Sequence, residues 1–166
     1  MMYSLLSRLD QKLGFKTASA HCDIPCKIYD PSTAQIAALT IVRLVDLLLE
    51  LDAKDELSLT DKAQLSRLVS EKEEHGLKVK EEVRVIWGDY FKAPQFEQVP
   101  EVHSLVHNIM LASSKAKQHV DRDAAVALVD LVNEFAEAFW LTKGVATYRA
   151  TCPYPPSLEV VYPKLI

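Results

Sequence analysis

The sequence predicts an all-α protein: an antiparallel up-and-down four-helix bundle, with a cysteine- and proline-bearing segment in front and an extended tail behind. Three observations lead there. Four stretches between residues 32 and 143 carry apolar side chains at helical spacing. Only four of the 166 residues are glycine, which argues against a β-rich or dinucleotide-binding design. The connections between the stretches are short, so neighbouring helices bury their apolar stripes against one another in antiparallel fashion.

The first helix is predicted from a cap at Ser32 or Thr33, with Ile36, Leu39, Leu44, Leu47, Leu48 and Leu51 as its apolar face. A polar link, Asp52 to Leu57, leads to a second helix capped by Thr60 and reaching about Gly88, with Leu65, Leu68, Val69, Leu77, Val83 and Ile86 inward. The charge run Glu71 to Glu74 within it reads as a solvated face. Asp89 to Pro100 reads as a loop broken by Pro94 and Pro100. A third helix covers Glu101 to Gln118. The fourth starts from a cap at Asp121 or Asp123 and stops near Gly144, a natural residue just past a helix end. In residues 145–166, Pro153, Pro155, Pro156 and Pro163 exclude a helix, and an extended tail is expected, laid on the bundle or reaching a neighbouring subunit.

Residues 1–20 stand apart. Leu5, Leu6, Leu9 and Leu13 fall near helical spacing around Arg8, Lys12 and Lys16, and Ala18-Ser19-Ala20 resembles the small-residue end of a cleavable leader. Ser4, Ser7, Arg8 and Asp10 interrupt the continuous apolar core that an export signal needs. Two readings stand at this point: an ordinary amphipathic helix, or a pro-segment that is not an export signal. No run of eighteen apolar residues predicts a membrane span. The formal charge of −4 becomes −6 once the leader's three cations and one Asp are removed, which argues against nucleic acid as a partner. Three cysteines do not make a disulfide scaffold, and a reducing, cytoplasmic location is expected.

The segment His21-Cys22-Asp23-Ile24-Pro25-Cys26 carries the chemistry. A Cys-x3-Cys pair alone is compatible with zinc, with a disulfide or with two inert thiols. If the bond between Ala20 and His21 is cut, His21 offers a free amine as well as its imidazole. The amine and the Cys22 amide nitrogen close one five-membered chelate ring, and that amide with the Cys22 thiolate closes a second. Pro25 helps turn the chain so that the Cys26 thiolate fills the fourth corner. A planar set of two nitrogens and two sulfurs favours nickel(II) or copper(II) over four-coordinate zinc.

His21-Cys22-Asp23-Ile24-Pro25-Cys26-Lys27-Ile28-Tyr29-Asp30-Pro31 closely resembles the nickel hook of the nickel superoxide dismutases, H-C-x-x-P-C-x-x-Y. Trp87-Gly88-Asp89-Tyr90-Phe91-Lys92-Ala93-Pro94 is similar to that family's W-S-D-Y-F-K-P-P loop, and Phe139-Trp140-Leu141-Thr142-Lys143 to the end of its last helix. The resemblance covers roughly residues 21–143. It implies three parts: a pro-segment, 1–20, removed by a maturation peptidase; a hook plus bundle, 21–144; and an added tail, 145–166. It also implies one nickel ion per subunit, a homohexamer, and conversion of superoxide to oxygen and hydrogen peroxide by alternating nickel(II) and nickel(III). A nickel- or copper-binding bundle without efficient turnover is the competing function.

The resemblance assigns the metal to His21, Cys22 and Cys26. Beside it, Tyr29 is expected at the open face, where it orients small anions, and Asp23 is expected to shape the hook. Tyr90 is expected to approach Tyr29, unless it is simply a core tyrosine. Lys92 is either a source of attractive potential or a solvated surface lysine. His75, His103, His107 and His119 read as structural, Trp87 and Trp140 as core, and Cys152 as a thiol without a matching role. Three positions depart from the family pattern. Lys27 stands where glycine is usual, and Ala37 and His75 fall where a glutamate and an arginine often hold the hook imidazole.

Overall fold

The structure is a computed structural model that describes residues 27–165; the expectations for residues 1–26, including the leader and most of the hook, lie outside the described residues. Helices α1 (Ser32–Asp52), α2 (Leu59–Val85), α4 (Val102–Gln118) and α5 (Arg122–Thr142) form the bundle. A π-helical stretch, Ile86–Tyr90, and a short helix α3 (Ala93–Gln98) link α2 to α4. The packed pairs are α1 with α2, α2 with α4, α4 with α5, and α5 with α1, a closed ring of antiparallel neighbours.

Each helix starts for a local reason. At α1 the cap lies upstream of the expected Ser32 or Thr33. Pro31 occupies the cap position, and the Asp30 carboxylate accepts the Ser32 N–H at 2.8 Å. A carboxylate suits a helix N-terminus, where unpaired N–H groups and the helix dipole leave positive charge. At α2 the cap is Ser58 rather than Thr60. Ser58 and Asp61 bond reciprocally as a capping box, and Lys54 pairs with the same carboxylate. These contacts, Lys54 foremost, pull the Asp61 pKa down to about 2. At α5 the Asp121 side chain accepts the Ala124 N–H, and Gly144, at φ +69°, ends the helix as expected.

The core is one large cluster that includes Ile41, Val45, Val83, Phe91, Val102, Ile109, Leu128, Phe135 and Phe139, with a small leucine cluster, Leu44, Leu48, Leu51 and Leu68, at the far end. Helix α1 buries alanines and valines on more than one side, whereas Ile36, expected inward, is 56% exposed. In α2 the expected inward pair Val69 and Leu77 faces outward, and Lys72, Gly76 and Val79 turn inward instead. The charge run is therefore not uniformly solvated. Lys72 is only 3% exposed, and its ammonium donates to the carbonyls of Ala116, Lys117 and His119 at the end of α4. A cation there satisfies carbonyls that have no partner within their helix and complements its negative end. At Gly76, α2 comes close to α4: an added Cβ would lie 3.0 Å from Lys117 Cγ.

The tail is extended as expected, but its two segments pair with each other. Strands β1 (Thr147–Thr151) and β2 (Glu159–Pro163) form an antiparallel hairpin in which Thr147 faces Pro163. Two buried amides fasten it to the bundle. Gln35 donates to Asn133 Oδ1 and to the Val161 carbonyl; Asn133 donates to the Glu159 carbonyl and accepts the Val161 N–H. Cys152 is buried beneath the hairpin, its thiol 3.3 Å from the Tyr154 carbonyl.

Candidate metal centre

The N-terminus of α1, the C-termini of α2 and α5, and the start of α4 meet at one end of the bundle, and the chain that follows the cysteine segment enters there. Tyr29 is half-buried three residues before α1. Its ring centroid lies 5.8 Å from that of Tyr90 at an interplanar angle of 48°. The expected approach of these two tyrosines is thus present in the fold.

Tyr90 is positioned by the π-helical stretch, which replaces the last α-helical turn predicted before Gly88. The wider turn, closed by the Phe91 N–H on the Ile86 carbonyl, leaves Tyr90 half-buried at the edge of the core and Phe91 within it. The Tyr90 ring packs on Phe139 at 4.9 Å and on Phe91 at 5.3 Å. Its hydroxyl lies 2.7 Å from Thr142 Oγ1. The single Thr142 hydroxyl proton goes to the Phe139 carbonyl at 2.7 Å, so Tyr90 is the donor of the pair. Lys143 places its ammonium 4.3 Å from the centre of the Tyr90 ring, a cation–π contact. Thr142 and Lys143 are neighbours of Tyr90 that sequence reasoning did not single out, although both stand in the matched C-terminal motif.

Lys92 donates to the Gly88 carbonyl at 2.8 Å, folded back on the π-helical stretch. His75 donates through Nδ1 to the Glu71 carbonyl of its own helix, at 2.9 Å. Ala37 is buried in the core, so no carboxylate stands at that place. His103 is structural, accepting from Trp87 Nε1 at 3.1 Å and stacking on Phe96. Trp87 and Trp140, expected in the core, are half-buried at its edge. Trp140 lines a cavity of about 140 Å³ with Asp30, Ile36, Tyr162 and Pro163, so the tail closes over the entrance of α1.

Among the described residues no group of three His, Cys, Asp or Glu side chains gathers to hold a metal ion. His21, Cys22, Asp23 and Cys26 lie outside the described residues, so fit is judged there by donor chemistry. Two thiols, an imidazole and adjacent backbone nitrogens suit nickel well.

The geometry defines a class: a four-helix bundle whose first described residues enter one end with Tyr29 packed on Tyr90. The family profile described as nickel-containing superoxide dismutase matches residues 16–143. The chain belongs to the nickel-containing superoxide dismutase family. It is 35% identical over 125 residues to the superoxide dismutase [Ni] of Streptomyces seoulensis, covering 75% of this chain and 89% of that one. It is likewise 35% identical over 127 residues to that of Streptomyces coelicolor, covering 76% and 91%. Among solved structures, native nickel superoxide dismutase at 1.30 Å superposes with a TM-score of 0.64 at 33% identity, covering 74% of this chain and 99% of that chain. A structure with nickel ligation of the oxidised state gives 0.64 at 34%, covering 75% and 99%. The hairpin lies beyond the matched region.

Proposed function

We infer that His21, Cys22 and Cys26 hold the nickel ion of this enzyme, once residues 1–20 have been removed by a maturation peptidase. As a family member the chain is an oxidoreductase that converts superoxide to oxygen and hydrogen peroxide with nickel as its cofactor. Nickel bound to the hook supplies the one-electron exchange. The protein's part is to hold the hook, exclude bulk water on one side and admit a small anion.

The Tyr29–Tyr90 pair carries this reading. Tyr29 is the third residue after Cys26, so their Cα atoms are at most about 11 Å apart. In this reading Tyr29 contacts the anion. The Tyr90 hydroxyl is committed to Thr142, so Tyr90 is a positioning residue that fixes the Tyr29 ring. Asp23 shapes the hook between the two thiolates.

The reading includes a homohexamer, supported by the exposed apolar side chains of Ile36, Leu77, Leu111 and Leu141, which leave surface for subunit contacts. It also includes a cytoplasmic location, supported by the interrupted leader. No helix among the described residues is long and apolar enough to cross a membrane. The decisive experiment combines N-terminal sequencing, nickel analysis and superoxide decay on protein isolated from its host. A chain that begins at His21, binds about one nickel per subunit and accelerates decay is expected. A working form that still begins with Met1 removes the amine ligand and ends the assignment.

A further inference from the structure

Lys27 has φ +60°, in the left-handed region. An L-residue there presses its Cβ toward a carbonyl oxygen, whereas glycine has no such contact. The conformation lowers the folding constant by roughly five- to thirtyfold relative to glycine. Among the described non-glycine residues only Ser157, in the hairpin turn, shares a positive φ. The backbone at position 27 thus favours glycine, and the sequence places a lysine there. Strain of this kind, directly beside a candidate metal ligand, marks a side chain with a use.

The use follows from charge. The Lys27 side chain is exposed, and among the described residues it makes no ion pair. Asp30, the nearest described carboxylate in sequence, is bound to the Ser32 N–H. Two other cations at this end are engaged, Lys92 on the Gly88 carbonyl and Lys143 on the Tyr90 ring. The whole chain is acidic, at −4. An anionic substrate therefore meets net repulsion at long range, and a local cation within a Debye length of about 8–10 Å decides its approach. We propose that Lys27 is held in a strained backbone because its ammonium, one residue from Cys26, draws superoxide to the site and raises the reduction potential of the centre.

This rests on the ligand set proposed above, and the test separates the two. Lys27→Gly, Lys27→Met and Lys27→Arg are compared as mature, nickel-loaded protein. Lys27→Gly is expected to raise the urea midpoint of the nickel-free chain, and Lys27→Met to leave it near wild type. Both lower kcat/KM at low ionic strength by roughly three- to tenfold, flatten its salt dependence, weaken azide binding and lower the nickel midpoint potential. Lys27→Arg restores all four. If Lys27→Met keeps the wild-type salt dependence, azide affinity and potential, Lys27 has no electrostatic role, and the nickel site stands without it. If Lys27→Gly is not more stable than wild type, the strain argument is wrong. A wild-type mature chain that binds no nickel overturns the ligand reading and this proposal together.

Discussion

Tyr90 donates its hydroxyl proton to Thr142, and Thr142 in turn donates to the Phe139 carbonyl. The phenol is therefore anchored to the end of α5, while its ring face meets Tyr29. Tyr90→Phe keeps the ring and loses only the hydrogen bond. It is expected to cost about 1 kcal/mol of stability and to change superoxide decay little. Tyr90→Ala removes the support of Tyr29 and is expected to lower activity well beyond the Phe variant. Pulse-radiolysis rates beside urea denaturation separate the two; equal activity in both variants contradicts a positioning role.

Lys72 is the main polar bridge between α2 and α4. Lys72→Met fills the same volume and leaves three carbonyls without their cation. A loss of about 1.5–3 kcal/mol is expected, read from the denaturant midpoint, with no change in nickel content. An unchanged midpoint means that the carbonyls find water at no cost.

Acid stability follows from Asp61. Its folded pKa is depressed to about 2, with the Lys54 contact the largest cause and the Ser58 bonds next. A depressed carboxylate stabilises the fold above its unfolded pKa, and that contribution is lost as pH falls through the folded value. Wild type is therefore expected to lose stability between about pH 4 and pH 2 more steeply than Asp61→Asn. Asp121, lowered chiefly by the Ala124 N–H, acts in the same direction at α5. Urea midpoints taken across that range test the slope, and parallel curves for wild type and Asp61→Asn disprove it.

The hairpin hangs on two amides. Asn133→Ala leaves Gln35 Nε2 and the Val161 N–H each short of a partner, at about 1–3 kcal/mol per buried group. Hydrogen exchange at β2 is expected to rise while the helices stay protected. Because the family match ends at residue 143, truncation after Gly144 is expected to spare nickel binding and to expose Gln35 and Trp140. Loss of folding on truncation shows instead that the bundle has come to depend on its addition.

The helices were legible in the sequence because their stripes follow a 3.6-residue period, and the third and fourth boundaries fell within a residue or two. Caps were less so. Asp30 and Ser58 lie just before the apolar pattern begins, and the serine's role shows only with Asp61 three residues on. Outward Val69 and Leu77 and inward Lys72 show the limit of hydropathy, since a buried ammonium is decided by a neighbouring helix end that periodicity does not see. Short helix α3 was hidden by Pro94, which breaks a helix interior yet fits a first turn. The hairpin was missed because its pairing is set by contact with the bundle. At the site, motif spacing located Tyr29 and Tyr90. The parts played by Thr142 and Lys143 depend on the π-helical stretch, which has no simple sequence signature.

The hairpin register has a practical consequence. Lys164 is bonded to the Ala146 carbonyl, and Pro163 shares a cavity wall with Asp30 and Trp140. The tail's last described residues are thereby parked at the pole where Tyr29 meets Tyr90. An affinity handle or fluorescent fusion on the carboxyl terminus would crowd that pole. Asp55 and Glu56, exposed in the link at the opposite pole, are the place to graft one.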